Sequence, residues 1–394
     1  MGLAWTVLLV GAVSAVSSGC GSKASTATGG SDGGSGGGEG VGGHSVGPDG
    51  GADTGLADAV SDSPEEPPAI TCPTTAPVDL GDPAVAAACS RFVYLVGGDN
   101  TRIIQSLDEG TTWTTQLFDM VAGDDYINNL AVYLGIINTT TLPGVFQSLD
   151  DGTTFTVVGA IPHSNFDTYG GQLNVGTKGL LLTDNQGTYS TLDGVTWTTL
   201  TPFPGMPSAD GFGGHWSGTA SGAGIYVALQ DKSAFRTYDG TTFTDGTLPV
   251  TTGNGELVAF GNGVFVAVGG GESTTSTDGK TWGNVSTIKS AADGGAAASP
   301  ATILFDGTRF LGYDGEKVAL STDGKTWTVQ SLGTTRIDTA ATIEGHFVAA
   351  GSIGSTSGVL LSSDGLTWTL SHPFATGETA NINGWRVGLG RVLK

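Results

Sequence analysis

Ser276–Trp282 reads STDGKTW, and the same seven letters return at Ser321–Trp327. Ser362–Trp368 reads SSDGLTW, Thr237–Phe243 reads TYDGTTF and Thr191–Trp197 reads TLDGVTW. Two further copies, SLDEGTTW at Ser106–Trp113 and SLDDGTTF at Ser148–Phe155, carry one more residue between Asp and Gly. The copies end on Trp113, Phe155, Trp197, Phe243, Trp282, Trp327 and Trp368, at intervals of 42, 42, 46, 39, 45 and 41 residues. Self-similarity at such a fixed period is the mark of a repeat architecture.

Each copy sits in the same surroundings. A β-branched or aromatic stretch ending in Gly precedes it, as in Arg91–Gly97 (RFVYLVG), Val264–Gly269 (VFVAVG) and His346–Gly351 (HFVAAG). A short strand pattern leads into the string, as in Lys317–Leu320, and another begins at the aromatic, as in Trp327–Gln330. With a variable loop and one more strand, each unit reads as four strands bounded by turn residues. A period near 42 of this type is the size of one four-stranded propeller blade. The string explains itself mechanically. Its Asp accepts N–H bonds from its own turn. Its Gly takes the left-handed backbone a tight hairpin needs. Its Trp or Phe opens the next strand and packs between sheets.

The string resembles the Asp-box, or BNR repeat, S-x-D-x-G-x-T-W. The resemblance covers roughly residues 84–394 and implies an all-β, seven-bladed β-propeller of four-stranded antiparallel blades. It also implies that Asp108, Asp150, Asp193, Asp239, Asp278, Asp323 and Asp364 are structural, on the rim away from the usual binding face. A last stretch, Ile382–Gly390 (INGWRVGLG), looks like another copy of the first two strands without a box. It either closes the ring on the first blade or belongs to an eighth.

The N-terminal residues are of another kind. An apolar run from Leu3 to Val16 is too short for a membrane span of about 20 residues and fits a signal-peptide core. Ser17–Cys20 (SSGC) resembles a bacterial lipobox, which implies lipidation of Cys20 and an outer-membrane or cell-surface location; the alternative is an ordinary secretory signal. Gly21–Gly55 holds 15 Gly in 35 residues, and Ala57–Ile70 is acidic and bears Pro; such a stretch cannot bury enough surface to offset its chain entropy. The expected organisation is therefore a signal peptide over 1–19, a disordered linker over 20–70 and the propeller over 71–394. Of three cysteines, Cys72 and Cys89 remain if Cys20 carries lipid. They form either a disulfide, which over such a loop stabilises by about 3 kcal/mol in an oxidising compartment, or two buried thiols.

Composition agrees. Gly accounts for 67 of 394 residues, more than twice the usual ~7%, without a collagen period. The net charge of −22 disfavours nucleic acid, whose phosphates an acidic surface repels. Hydrophobic residues at 38% and aromatics at 8% suffice for a core.

The candidate ligand face is built from loops joining blades. They supply Asp124, Asp125, Tyr126, Asp167, Tyr169, Asp210, His215 and Trp216, with Asp119, Phe166 and Phe212 beside them: carboxylates, and rings that can stack on sugars. No metal or cofactor motif, nucleophile elbow or phosphate loop occurs. Sialidases of the resembling family gather three Arg on a substrate carboxylate after an early Arg motif, and none of the seven Arg here lies in such a motif. The expectation is a monomeric, non-enzymatic, surface-anchored lipoprotein that binds a protein or glycan through its loop face. The alternative is an Asp-box glycoside hydrolase, sialidase-like or endoglucanase-like.

Overall fold

The computed structural model describes residues 70–78, 83–98, 102–117, 127–141, 144–158, 172–183, 187–202, 216–230, 234–250, 257–289, 298–375 and 385–394. A seven-residue helix α1 (Pro83–Cys89) leads into β1 (Ser90–Gly97), β2 (Arg102–Ser106) and β3 (Thr114–Leu117). Six complete blades follow. Blade 2 holds β4 (Ile127–Tyr133), β5 (Ile136–Thr141), β6 (Gly144–Ser148) and β7 (Thr156–Val157). Blade 3 holds β8 (Gln172–Gly176), β9 (Gly179–Thr183), β10 (Gly187–Thr191) and β11 (Thr198–Pro202). Blade 4 holds β12 (Trp216–Gly222), β13 (Ile225–Gln230), β14 (Ala234–Tyr238) and β15 (Phe243–Thr247). Blade 5 holds β16 (Leu257–Gly261), β17 (Val264–Gly269), β18 (Glu272–Ser276) and β19 (Ser286–Thr287). Blade 6 holds β20 (Thr302–Phe305), β21 (Phe310–Asp314), β22 (Lys317–Ser321) and β23 (Thr328–Ser331). Blade 7 holds β24 (Thr335–Ile343), β25 (His346–Ile353), β26 (Thr356–Ser362) and β27 (Thr369–Pro373).

The last strand, β28 (Arg386–Leu393), returns to the first blade, giving the order β28-β1-β2-β3. Its register is unbroken from Ser90 opposite Leu393 to Gly97 opposite Arg386. The chain is a seven-bladed β-propeller. The boxless stretch thus contributes one strand to the first blade, not two and not an eighth blade. Gly388 and Gly390 let β28 lie against β4, since a Cβ at Gly388 would stand 2.9 Å from the Leu130 side chain.

Among the described residues, six apolar clusters each bridge two neighbouring blades. One, for example, joins Leu304, Leu311 and Tyr313 of blade 6 to Ile337, Phe347 and Leu360 of blade 7. The box aromatic of a blade enters the seam with the blade before it. Trp113 lies between blades 7 and 1, Phe155 between 1 and 2 and Trp197 between 2 and 3. Trp282, Trp327 and Trp368 repeat the placement for blades 5, 6 and 7. Phe243 of blade 4 belongs to no such cluster and instead stacks on Tyr238 at 4.5 Å.

Strands alternate in direction, so all boxes, which join third and fourth strands, lie at one end of the ring. The first-to-second strand turns, such as Leu134-Gly135 and Glu344-Gly345, share that end. The chain enters the propeller there as well. Cys72 is disulfide-bonded to Cys89, directly before β1, and the Val78 N–H donates to the carbonyl of Leu134 at 2.9 Å. The Lys394 ammonium caps the end of α1 through the carbonyls of Ala87 and Ala88.

The box turns double as joints. Gly324 sits at φ +70°, and a Cβ there would collide with Val266 of blade 5. Gly333, at φ +71°, has open space around the same position. Replacing Gly333 by Ala is expected to cost only the left-handed strain, about 1–2 kcal/mol. Gly324→Ala adds an overpacking cost and should lose about 2–5 kcal/mol. Chemical denaturation midpoints of the two variants check this, and equal losses would refute the seam role of Gly324.

Candidate functional site

The box end is occupied by its own chemistry. In the sixth box, Asp323 Oδ1 accepts the N–H groups of Lys325 and Thr326, both at 2.8 Å. The Ser321 hydroxyl donates to the same oxygen at 3.0 Å and accepts the Gly324 N–H at 2.8 Å. The other boxes repeat the Asp-centred turn with small variations. The extra residue of the first two copies, Glu109 or Asp151, takes φ 57°. That conformation keeps the longer turn closed at a cost a shorter box avoids.

All seven boxes bond to the preceding blade. The glycine carbonyls of five accept from it: Gly110 from Ser371, Gly194 from Gln147, Gly279 from Thr237, Gly324 from Ser273 and Gly365 from Tyr313. The remaining two are held by Arg91 on Asp151 at 2.7 Å and by Lys178 on the Asp239 carbonyl at 2.6 Å. Trp327 Nε1–H adds a bond to the Ser273 hydroxyl, which itself donates to the Gly324 carbonyl.

These bonds hold all seven box carboxyls below the usual range. For Asp108 the Thr112 hydroxyl is the main cause. For Asp193 and Asp239 it is the backbone N–H of Thr196 or Thr242, and for Asp278 the Thr281 N–H brings the pKa down to about 2. At Asp150, Asp323 and Asp364 burial pushes upward, and the combined turn bonds outweigh it. A carboxylate fixed in this way is a turn component, with no proton to give near neutrality.

The opposite end carries the starts of the innermost strands. Asp124, Asp125, Tyr126, Asp167, Tyr169, Asp210 and His215 lie outside the described residues. Trp216 is the first residue of β12, opposite Gln230. What the structure does describe at that end is a polar cluster across three blades. Arg386 Nε donates to the Asn128 carbonyl at 3.1 Å and Nη1 to the Trp385 carbonyl at 3.0 Å. Asn129 Nδ2 donates to Gln172 Oε1 at 3.1 Å. All four residues are buried, and Asn128 Nδ2, Asn129 Oδ1 and Gln172 Nε2 have no protein partner. Buried amide atoms without partners are costly, so this end holds unspent hydrogen-bonding capacity. Sequence reasoning passed over Asn128, Asn129 and Gln172, and read Arg386 only as the start of a repeat strand. The available signal was amide residues inside strands that otherwise read apolar, INNL and QLN.

The arginines do not converge. Arg91, Arg236, Arg309, Arg336 and Arg391 each pair with a separate carboxylate, on Asp151, Asp245, Asp306, Asp338 and Glu344. Arg391 also lies 4.0 Å over the Phe92 ring. Among the described residues no group of His, Cys, Asp or Glu is placed to hold a metal ion.

No known protein-family profile matches the chain, and no curated protein does. Solved structures resemble it. YCF48 from Cyanidioschyzon merolae is 15% identical with a TM-score of 0.49, over 68% of this chain and 89% of its own. A structure of YCF48 bound to D1 peptide is 16% identical with a TM-score of 0.48, over 68% and 86%. A putative 6-phosphogluconolactonase from Bacteroides uniformis is 11% identical with a TM-score of 0.46, over 77% of this chain and all of its own. The ring itself rests on this chain's own strand pairing.

The depressed box pKa values set an acid limit. A carboxyl whose pKa is lower folded than unfolded adds stability above its unfolded value, near 3.9, and loses it as pH falls through the folded value. Thermal midpoints should therefore be level from about pH 7 to 5 and fall from about pH 4 toward 2. The Asp278→Ala variant should start lower and fall less steeply below pH 4; an unchanged acid slope would count against the turn bonds as its cause.

Proposed function

We propose that this chain is a non-enzymatic binding propeller, anchored to a bacterial surface through lipid on Cys20 and a long Gly-rich linker. Its ligand, a protein or a glycan, seats on the end opposite the boxes. One observation carries the reading. The chain enters the domain at the box end, beside Cys89 and the Leu134 turn, where every box is already spent on joining blades. Among the described residues, neither the chain entry nor the boxes take up the opposite end. That end holds the Arg386, Asn128, Asn129 and Gln172 cluster. Trp216, the first residue of β12, lies at that end, and the sequence-based ligand face adds Asp124, Asp125, Tyr126, Asp167, Tyr169, Asp210 and His215 to the proposal. The Asp-box resemblance supports the same division, with structural boxes on one rim and recognition on the other.

The glycoside hydrolase alternative draws no support from the arginines. A sialidase-like site needs several guanidinium groups on one carboxylate, and five of the seven here are already ion-paired at separate places.

Two measurements test the reading. The full-length protein, applied to a glycan array and an immobilised peptide library, should bind a defined subset of one of them without releasing free sugar. Trp216→Ala and Asp125→Asn should each weaken that binding at least tenfold, while Lys325→Ala at the box end leaves it unchanged. Binding that responds only to the box-end change would overturn the choice of face, and sugar release would favour the hydrolase. For the anchor, metabolic labelling with a fatty-acid analogue should be lost in Cys20→Ala; retained label would exclude lipid at that cysteine.

A further inference from the structure

Residues 72–78 form a strap at the box end, between the start of β1 and the first hairpin of blade 2. Residues 72–75 and Pro77 are exposed, and Ala76 and Val78 are half-buried. Burial therefore contributes little to holding the strap in place. Among the described residues, one hydrogen bond fixes it to the ring, from the Val78 N–H to the Leu134 carbonyl at 2.9 Å. The packing there is loose, since a Cβ added at Gly135 would still lie 3.5 Å from Val78. The other attachment is covalent, the disulfide between Cys72 and Cys89.

From Cys89 onward the chain is held without the disulfide. The Cys89 carbonyl accepts the Lys394 N–H at 2.9 Å, and the Ser90 hydroxyl donates to the Ala86 carbonyl. Ser90 then begins the unbroken ladder with β28. Opening the S–S bond thus removes an attachment of the strap and none that closes the ring. The two sulfurs also differ in access. Cys72 is exposed, whereas Cys89 is 1% exposed. Thiol–disulfide exchange depends on which sulfur the incoming thiolate can reach. The displacement is in line, so the thiolate arrives behind the attacked sulfur, along the S–S axis. Attack on Cys72 comes from the exposed side; attack on Cys89 would have to pass through the residues that bury it.

We infer that this disulfide is a redox-operated clasp: a dithiol reductant opens it at Cys72 and frees the strap from the box end while the ring stays closed. The exchange balances in two steps. A thiolate of the reductant bonds to the Cys72 sulfur, and the S–S electron pair leaves on the Cys89 sulfur, which takes up a proton. The second thiolate of the reductant then displaces Cys72 from the mixed disulfide, and Cys72 takes up a proton. The reductant ends as a disulfide, and the protein gains two electrons and two protons. In the oxidised state the chain is fastened to the domain from Cys72 onward; in the reduced state its firm attachment begins at α1. The clasp is independent of what the opposite end of the ring binds.

Thiol exchange on the folded full-length chain carrying Cys20→Ala tests the clasp, since Cys72 and Cys89 are then its only cysteines. The oxidised protein is incubated with reduced glutathione, quenched in acid and mapped by mass spectrometry. Glutathione should appear on Cys72, with the free thiol at Cys89. After full reduction with dithiothreitol, amide hydrogen exchange at Val78 should speed by roughly tenfold or more. Exchange at Lys394 and along the β1–β28 ladder should stay as it was. Glutathione mainly on Cys89, reduction that needs denaturant, or protection lost equally at Val78 and in the ladder would each overturn the clasp. Cys72→Ser holds the open state permanently and should reproduce the exchange pattern of the reduced protein. A Cys72→Ser chain that fails to fold would show that the ring needs the bond, and would overturn the clasp as well.

Discussion

The contact on which this ring depends is the carbonyl of a turn glycine accepting a bond from the blade before it. Ser273 bonds Gly324 in this way at 2.9 Å, Tyr313 bonds Gly365 at 2.9 Å and Ser371 bonds Gly110 at 2.9 Å. The turn can offer that carbonyl because the Asp already holds the neighbouring N–H groups, and because glycine permits the left-handed backbone and the close approach together. One short string therefore completes a hairpin, seats an aromatic in a seam and fixes the spacing between blades. Seven repetitions bring the first blade back beside the last.

The same economy explains why the carboxylates of the boxes are poor candidates for chemistry. Their oxygens are committed to N–H and hydroxyl donors within three or four residues, and their pKa values fall accordingly. Capacity for recognition has to come from groups the fold does not consume. Among the described residues those include the amides of Asn128, Asn129 and Gln172 at one end.

The repeat, the turn and the blade count were legible in the chain because each is a local pattern. Ser-x-Asp-Gly and its aromatic need only their immediate neighbours to make sense, and a period near 42 leaves little choice of architecture. Which residues meet across a seam was not legible. Asn174 and Thr188 look like ordinary strand residues until register sets them against Thr219 and Arg236 of another blade. Arg386 likewise read as the start of one more strand copy; its role at the ring's inner edge depends on β28 lying beside β4. The boxless tail was half legible: its strand character was visible, while its single-strand length follows from the first blade having three strands of its own.

The closure has a consequence for the order in which the molecule is made. Residues of β1 leave the ribosome long before those of β28, so the first blade waits for its last strand. Until then β1 presents an unpaired edge, a template for pairing with other chains, and the pairing that ends the wait is among the least local contacts a chain of this length can form. A chain without β28 would hold six finished blades and one permanently open edge.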